Sequence, residues 1–446
     1  MVVDLVIKNA KIVLPERGVI EGGIAIESGI ISEISKDKLL PKGDEVIDAK
    51  DNYLLPGIID CHVHLREPGA SSKEDWRTGT MAAAAGGITT VLDMPNTQPP
   101  TSTIEALEKK IEIAKSKAIV DFGFHFAATQ NNEEEIRKLA RNVASVKFYM
   151  SSTIGSLILD NEATIFEYFK ILMEKDLIAT IHAENQRMID YYMEMYKDKI
   201  SEDIIEYCNA RADICSSEAL VSILHLARYS GNRVHICHLS TKKEIETLRE
   251  FYANVKERKV TSETAPHYLF LTKEDMRRLK GYGKVTPPLR SEKDRVELWK
   301  ALKEGTIDII ATDHAPHLRE NKEMNILEAS AGMPGLETML PLLLNEVNSG
   351  NLSLVDVVKL TSENPAKVFR IERKGKIEYG YDADLVIVDL NLEKKVKEDE
   401  LKTKCGWSPF AGWKLKGWPI KTFVRGNLVY EDGEVYKNNG KPVKFY

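Results

Sequence analysis

The chain has 446 residues, of which 43% are hydrophobic and 29% are charged, and its formal net charge is −6. This length exceeds what one hydrophobic core usually supports, so we expect one large domain and a second, smaller unit. The mild acidity argues against a nucleic-acid-binding surface, and we predict no nucleic-acid partner.

The N-terminal segment "MVVDLVIKNAKIVL" alternates apolar and polar residues, which is typical of a β-strand rather than of a signal peptide. No apolar run approaches the ~18 residues that a membrane-spanning helix requires. The five cysteines are scattered and form no C-x-x-C motif, which favours a reducing compartment. We therefore predict a cytoplasmic protein that does not act at a membrane.

Both ends of the chain carry short strand patterns separated by turn residues, in residues 1–55 and again in residues 372–446. Examples are "GGIAIESGIISEIS" near the start and "IKTFVRGNLVYEDGEVY" near the end. The simplest arrangement brings the two segments together. We predict that they form one small, discontinuous β domain.

Residues 56–371 differ, because apolar strands there alternate with helical patterns such as those at 104–117 and 162–174. Unbroken alternation predicts parallel strands, and eight of them predict a closed (β/α)₈ barrel. A doubly wound open sheet is the alternative, but no G-x-G-x-x-G motif follows the first strand. The predicted strands are 57–64, 89–96, 119–128, 143–150, 177–185, 233–240, 259–267 and 307–317.

Polar residues interrupt this apolar pattern where the predicted barrel strands end. In "DCHVHLREPG", His62, His64 and Arg66 alternate, so on a regular strand they would share one face. By the same alternation, His235 would face away from His238 and pack against a helix. Barrel enzymes place their active sites at the carboxyl ends of the strands. The other candidate site residues at these ends are Asn96, Lys147, His182, His238, Asp313 and His317.

Four histidines and one aspartate exceed the needs of one zinc ion with three protein ligands. They suit two metal ions about 3.5–4 Å apart, which would need an anionic bridge between them. Lys147 is the one candidate at the end of the fourth strand, but an ammonium group would repel the metals. Carboxylation by carbon dioxide would convert it into a bridging carbamate anion. The alternative is an ordinary lysine at a strand end.

With these residues in place, the chain resembles the cyclic amidohydrolases of the amidohydrolase superfamily, and dihydroorotases most specifically. The resemblance implies a barrel with a β-sandwich built from both termini and a binuclear zinc centre. It further implies that His62, His64 and Asp313 hold one zinc ion. His182 and His238 would hold the other, and Lys147, as N6-carboxylysine, would hold both. The motifs are "DCHVHLREPG", "TGTMAAAAGGITTVLDMPNTQPPT", "VKFYM", "IHAEN", "ICHLST", "PPLR" and "ATDHAPH".

Within the superfamily, "LREPG" and "MPNT" favour dihydroorotase. The resemblance implies that Arg66, Asn96 and His317 bind the substrate carboxylate, for which a guanidinium fork and an amide donor are suited. The implied reaction is reversible hydrolysis of dihydroorotate to N-carbamoyl-aspartate in pyrimidine biosynthesis. Asp313 would be the catalytic residue that transfers the proton.

Three other functions remain open. The stretch "KEDWRTGT" is similar to allantoinase, and dihydropyrimidinase (hydantoinase) uses a related ring. Some dihydroorotase-like chains are non-catalytic scaffolds that support aspartate transcarbamoylase, but these typically lose metal ligands, whereas all six positions are filled here. Relatives are often oligomers, so the resemblance implies a homo-oligomer or an association with aspartate transcarbamoylase.

Overall fold

The computed structural model describes residues 2–152 and 157–446. The N-terminal segment forms five strands. The first of them pairs antiparallel with the second and parallel with both the fourth and the fifth, because its 13 residues are long enough to serve all three neighbours. The strands are β1 (Val2–Leu14), β2 (Gly18–Glu27), β3 (Ile30–Ser35), β4 (Lys42–Asp48) and β5 (Tyr53–Pro56).

Eight parallel strands follow, and strands that are neighbours in the chain are neighbours in the sheet. The predicted barrel is therefore confirmed. The eighth strand is shorter than predicted, with only two residues in the ladder. The strands are β6 (Ile58–Val63), β7 (Ile88–Asp93), β8 (Asp121–Ala127), β9 (Ser145–Tyr149), β10 (Ala179–His182), β11 (Val234–Ile236), β12 (Val260–Thr264) and β13 (Ile309–Ile310).

Helices connect the barrel strands and begin where the sequence offers a capping side chain. The helix predicted at 104–117 begins after Thr103, whose hydroxyl accepts a hydrogen bond from the Ala106 N–H. In the described ranges the α-helices, α1 to α15, are Trp76–Ala85, Ile104–Lys117, Glu133–Lys138, Glu162–Lys175, Gln186–Glu202, Glu206–Ala210, Asp213–Ser230, Lys242–Ala253, Pro266–Phe270, Met276–Leu279, Glu292–Glu304, Arg319–Lys322, Met339–Asn348, Leu354–Val358 and Asn364–Val368. None of them is long and apolar enough to cross a membrane.

The barrel closes between its first and last strands, β6 and β13, through a few contacts. Val63 bridges to His314, and the His64 N–H donates to the His314 carbonyl at 2.8 Å. Closer to the amino ends of these strands, the Asp60 carboxylate accepts two hydrogen bonds from Thr312, one from its N–H at 3.1 Å and one from its hydroxyl at 2.5 Å. Burial raises the pKa of Asp60 to about 7, against these hydrogen bonds. The contacts that close the barrel therefore lie directly below the predicted site.

The C-terminal segment returns to the N-terminal strands. Its first strand pairs antiparallel with β5, so strands from both termini form one nine-stranded mixed sheet, separate from the barrel. This confirms that the two ends come together. The division at residues 55/56 and 371/372 stays a prediction. The strands are β14 (Leu385–Lys395), β15 (Lys414–Val424), β16 (Asn427–Glu431) and β17 (Glu434–Val435).

A buried lysine joins the two sheets. The Lys374 ammonium contacts Asp121, at the start of β8, at 2.9 Å, and it also contacts Asp384 next to β14. Burial opposes the charge on Lys374, but the surrounding carboxylates, Asp384 first, raise its pKa. This pairing fixes the terminal sheet against the amino end of the barrel.

The same end of the barrel is filled by aromatic and imidazole rings. Phe369 lies 5.6 Å from His125 and 5.2 Å from His235, measured between ring centroids. The C-terminal tail crosses here, where the Phe122 N–H donates to the Lys441 carbonyl at 3.0 Å. The carboxyl ends of the strands are left as the accessible end.

Candidate active site

A cavity of about 520 Å³ opens at the carboxyl ends of the barrel strands. Parallel strands deliver their carboxyl ends to one edge, so residues distant in sequence meet there. All nine predicted site residues line this one cavity: His62, His64, Arg66, Asn96, Lys147, His182, His238, Asp313 and His317.

One group of potential metal ligands spans the closing strands β6 and β13. Asp313 Oδ1 lies 3.4 Å from His62 Nε2 and 3.2 Å from His64 Nε2. The three side chains are buried, and their ligand atoms lie within 4.8 Å of one another. Three ligands of this type at this separation suit a zinc ion.

The second group consists of His182, the last residue of β10, and His238, just beyond β11. His182 Nδ1 and His238 Nε2 are 2.9 Å apart. The other nitrogen of His182, Nε2, faces the Glu184 carboxylate at 2.9 Å and the Ser151 hydroxyl at 3.0 Å. Burial lowers the pKa of both histidines. They are therefore neutral at pH 7 and can offer lone pairs to a metal.

Acceptors behind the first group fix the orientation of its two imidazoles. His62 Nδ1 lies 2.5 Å from Glu263 Oε1, and His64 Nδ1 lies 2.7 Å from Asn96 Oδ1. Because these oxygens only accept, each Nδ1 carries a proton and each Nε2 is directed at Asp313. Such outer partners are typical of metal-binding histidines.

The electrostatics of the first group also suit a cation. Burial lowers the pKa of His64 to about 4. Burial would raise the pKa of Asp313, but His62 and His64 hold it below its ordinary value. His62 is the exception, because Glu263 and Asp313 outweigh burial and raise its pKa to about 10. This position attracts positive charge, which a metal ion supplies in place of the proton.

Lys147, on β9, is fully buried and lines the same cavity as both groups. Its Nζ donates to Cys237 Sγ at 2.7 Å and lies 5.3 Å from the Tyr149 ring centroid. Within residues 2–152 and 157–446, no carboxylate lies within ion-pair distance of it. A buried lysine is rarely left charged and unpaired.

Arg66 and His317 meet at another part of the cavity wall. The Arg66 Nε donates to the Pro316 carbonyl at 3.2 Å, and its Nη2 lies 3.1 Å from His317 Nε2. The predicted common strand face for His62, His64 and Arg66 is wrong in detail. β6 ends at Val63, and Arg66 lies in the loop with a φ of 62°. The loop still carries Arg66 to the cavity.

Asn96 lines the same cavity, and its Oδ1 accepts a hydrogen bond from His64 Nδ1 at 2.7 Å. This leaves the Nδ2 donor of Asn96 for a ligand.

Glu263 is not among the predicted site residues, although its position in the sequence carries a signal. Glu263 lies next to the last residue of β12, so a carboxylate occupies the end of a buried strand. It also contacts His235 Nε2 at 3.1 Å. The prediction that His235 faces a helix outside the barrel is therefore wrong. The ring points into the barrel, because regular alternation ends at Ile236 and His238 has a φ of 38°.

Comparisons with known proteins agree with this geometry. A model described as "Amidohydrolase family" matches residues 53–429. A dihydroorotase from Methanosarcina acetivorans is 40% identical over 447 residues, covering 98% of this chain and 94% of the relative. A dihydroorotase from Pyrococcus abyssi is 40% identical over 425 residues, covering 95% and 94%.

Solved structures with the same fold carry related names. An L-hydantoinase (dihydropyrimidinase) from Arthrobacter aurescens has a TM-score of 0.95 and 32% identity, covering 99% of this chain and 100% of that one. A dihydropyrimidinase from Brevibacillus agri has a TM-score of 0.91 and 27% identity, covering 99% of both chains. The family implies a metal centre, and the resemblance found in the motifs is confirmed: the chain belongs to the amidohydrolase family.

Proposed function

We propose that the chain is a dihydroorotase, which reversibly hydrolyses the cyclic amide of dihydroorotate to N-carbamoyl-aspartate. One observation carries the proposal: a buried arginine without a carboxylate partner among the described residues shares a cavity with two sets of metal ligands. Dihydroorotate is a cyclic amide with a carboxylate, so it matches both features. The relatives at 40% identity that are named dihydroorotase support the assignment.

Two zinc ions fit the donor sets. His62, His64 and Asp313 would hold one, His182 and His238 the other, and Lys147, carboxylated by carbon dioxide, would hold both. When bound, the ions would polarise the ring carbonyl and lower the pKa of the attacking water. An anionic carbamate would also remove the unpaired ammonium from the barrel interior.

Asp313 would transfer the proton in the reaction. It would accept one proton from the attacking water and pass it to the ring nitrogen as the carbon–nitrogen bond breaks. The other proton of the water is released when the new carboxyl group ionises to the second carboxylate of the product. In the reverse direction the same carboxylate removes the proton from that nitrogen. General acid–base transfer of this kind contributes about 10²–10⁴-fold in rate.

Arg66, Asn96 and His317 would orient the ring by its carboxylate. The guanidinium offers charge-assisted hydrogen bonds, and the Asn96 amide offers a second donor. Fixing the carboxylate fixes the distance from the ring carbonyl to the metal ligands. The attack then becomes effectively intramolecular.

Hydantoinase or dihydropyrimidinase activity is the second candidate, because solved structures that share this fold carry these names. Allantoinase stands beside it. The ring substrates of these enzymes are neutral, so they would leave Arg66 without a counter-charge. A scaffold without activity is disfavoured, because all six metal-binding positions carry competent side chains.

Parallel steady-state assays of zinc-loaded protein test the proposal. The substrates are dihydroorotate, dihydrouracil, hydantoin and allantoin, with N-carbamoyl-aspartate for the reverse direction. We expect the highest kcat/KM with dihydroorotate and about two zinc ions per chain by elemental analysis. A higher kcat/KM with a neutral ring would contradict the proposed substrate, and the absence of bound metal would contradict the proposed centre.

A further inference from the structure

Lys73, in the loop between β6 and α1, lines the same cavity as Arg66. Its Nζ lies 3.2 Å from His317 Nδ1, while the Arg66 Nη2 lies 3.1 Å from His317 Nε2. One imidazole therefore separates two cationic side chains. Neither the metal ligands nor the predicted carboxylate clamp includes Lys73.

The protonation of His317 follows from its third contact. Its Nε2 lies 3.0 Å from the Ala331 carbonyl, which only accepts, so Nε2 carries the proton. Burial, together with Arg66 and Lys73, lowers the pKa of His317, and the ring is neutral. Nδ1 is then the acceptor, and Lys73 donates to it.

In this tautomer of His317, N–H donors of Arg66 and Lys73 are left without acceptors. The Arg66 Nη2 faces an N–H rather than a lone pair, so that contact is not a hydrogen bond. Lys73 uses one of its three ammonium hydrogens on His317. In the described part of the chain, neither cation lies within ion-pair distance of a carboxylate. Arg211, which lines the same cavity, is by contrast paired with Glu184.

Lys284 shows that a lysine can line the cavity without having donors available to a ligand. Its ammonium also lacks a carboxylate partner in the described ranges, but it donates to the carbonyls of Ile326 at 2.7 Å and Leu327 at 3.0 Å. These contacts tie Lys284 to a loop. Lys73 has no such contacts to carbonyls in the same ranges, so its remaining donors are available to a ligand.

We propose that Lys73 determines specificity together with Arg66, by binding the carboxylate of the ring substrate directly. His317 lies between the two cations, with one on either side of its ring. From these positions both cations can contact the same substrate carboxylate. Both nitrogens of His317 are already engaged, with Lys73 and with the Ala331 carbonyl. His317 therefore contributes to carboxylate binding by positioning its neighbours, and Lys73 supplies the donor. The inference rests on the proposed function and adds a residue to its substrate site.

The test is Lys73→Met, which keeps most of the side-chain length and removes the charge. We expect kcat/KM for dihydroorotate to fall by about 10- to 100-fold, mainly through KM, because a charge-assisted hydrogen bond is lost. The rate with dihydrouracil, which lacks the carboxylate, should stay within about twofold of wild type. Lys73→Arg should retain most of the activity with dihydroorotate.

Zinc content and Tm are measured for each variant. Lys109→Met, an exposed lysine on α2, removes the same charge from the surface and should leave both substrates unaffected.

Each other outcome has a distinct meaning. An unchanged KM for dihydroorotate in Lys73→Met would overturn the inference. Equal losses with dihydroorotate and dihydrouracil would also overturn it, because they would indicate that Lys73 acts only by supporting His317. Wild-type protein with two zinc ions and no turnover of dihydroorotate would instead overturn the proposed function.

Discussion

The cavity has two sides, which differ in how many of their polar side chains have hydrogen-bond or ion-pair partners within the protein. The metal side, named for the proposed zinc centre, consists of His62, His64, Lys147, His182, His238 and Asp313. The anion side, named for the proposed carboxylate binding, consists of Arg66, Lys73 and His317. On the metal side, three of the four histidines have an oxygen acceptor behind the ring. On the anion side, two cations have no carboxylate partner among the described residues.

The difference matches what each side has to do. Metal ligands must be held in one orientation before the ion arrives, because a loose ligand set binds weakly. A carboxylate-binding cation must instead keep its donors free, because the substrate supplies the counter-charge. Burial makes both arrangements effective, since charges interact more strongly where water is excluded. Single substitutions on each side of the cavity test this division.

The largest effect is expected for Lys147→Ala on the metal side. Removal of the bridging group should reduce bound zinc to one ion or fewer per chain and lower turnover to near background. Elemental analysis and steady-state assays measure both. Short carboxylic acids such as acetate should partly restore activity, because they can replace the carbamate. Full activity without them would exclude Lys147 from the centre.

Asp313→Asn should separate chemistry from metal binding. We expect kcat to fall by about 10²–10⁴-fold, because an amide cannot accept the proton. Much of the zinc should remain, since the histidines are intact. Asp308→Asn, just before β13 at the opposite end of the barrel, is the matched control and should leave kcat near wild type. A near wild-type kcat in Asp313→Asn would refute the proton-transfer role.

Arg66→Ala tests the anion side alone. We expect kcat/KM for dihydroorotate to fall by about 10²-fold, because a buried charge pair with the substrate is lost. Zinc content should equal that of wild type, since Arg66 contacts none of the proposed ligands. Loss of zinc in this variant would show that the two sides are not independent.

Glu263→Gln is expected to have the smallest effect, and it acts through His62. The amide keeps the size of the side chain but removes the charge that His62 faces, so zinc should bind about 10- to 100-fold more weakly. A competition titration with a chelator measures this affinity. Glu257→Gln, exposed just before β12, is the control. Unchanged zinc affinity would show that the contact between Glu263 and His62 is only structural.

The barrel could be predicted from the sequence because eight apolar strand segments alternate with helical patterns. The details that failed share one cause. Site residues leave strand geometry: Arg66, His238 and Asp313 all have positive φ. Such backbone is sparsely populated and clusters at functional sites. Regular alternation therefore misplaced Arg66 and His235, although the cavity that Arg66 reaches was correctly expected.

The contacts behind the site were harder to predict, because they join residues with no fixed spacing. His62 and Glu263 are 201 residues apart in sequence, and Lys73 and His317 are 244 apart. Only the closed barrel brings them together. Strand-end reasoning could have found Glu263, but not Lys73, whose loop position has no periodicity.

The contacts between β6 and β13 also bear on the order of assembly. His64 and Asp313 are separated by 249 residues, so this junction closes the longest loop in the barrel and has a high entropic cost. Few backbone hydrogen bonds join the two strands. An ion bound by His62, His64 and Asp313 would therefore link β6 to β13, where few backbone hydrogen bonds hold the barrel closed. Its binding energy would then also stabilise the closed barrel. Chelation should then increase amide hydrogen exchange first at β6 and β13, and later in the strands opposite them.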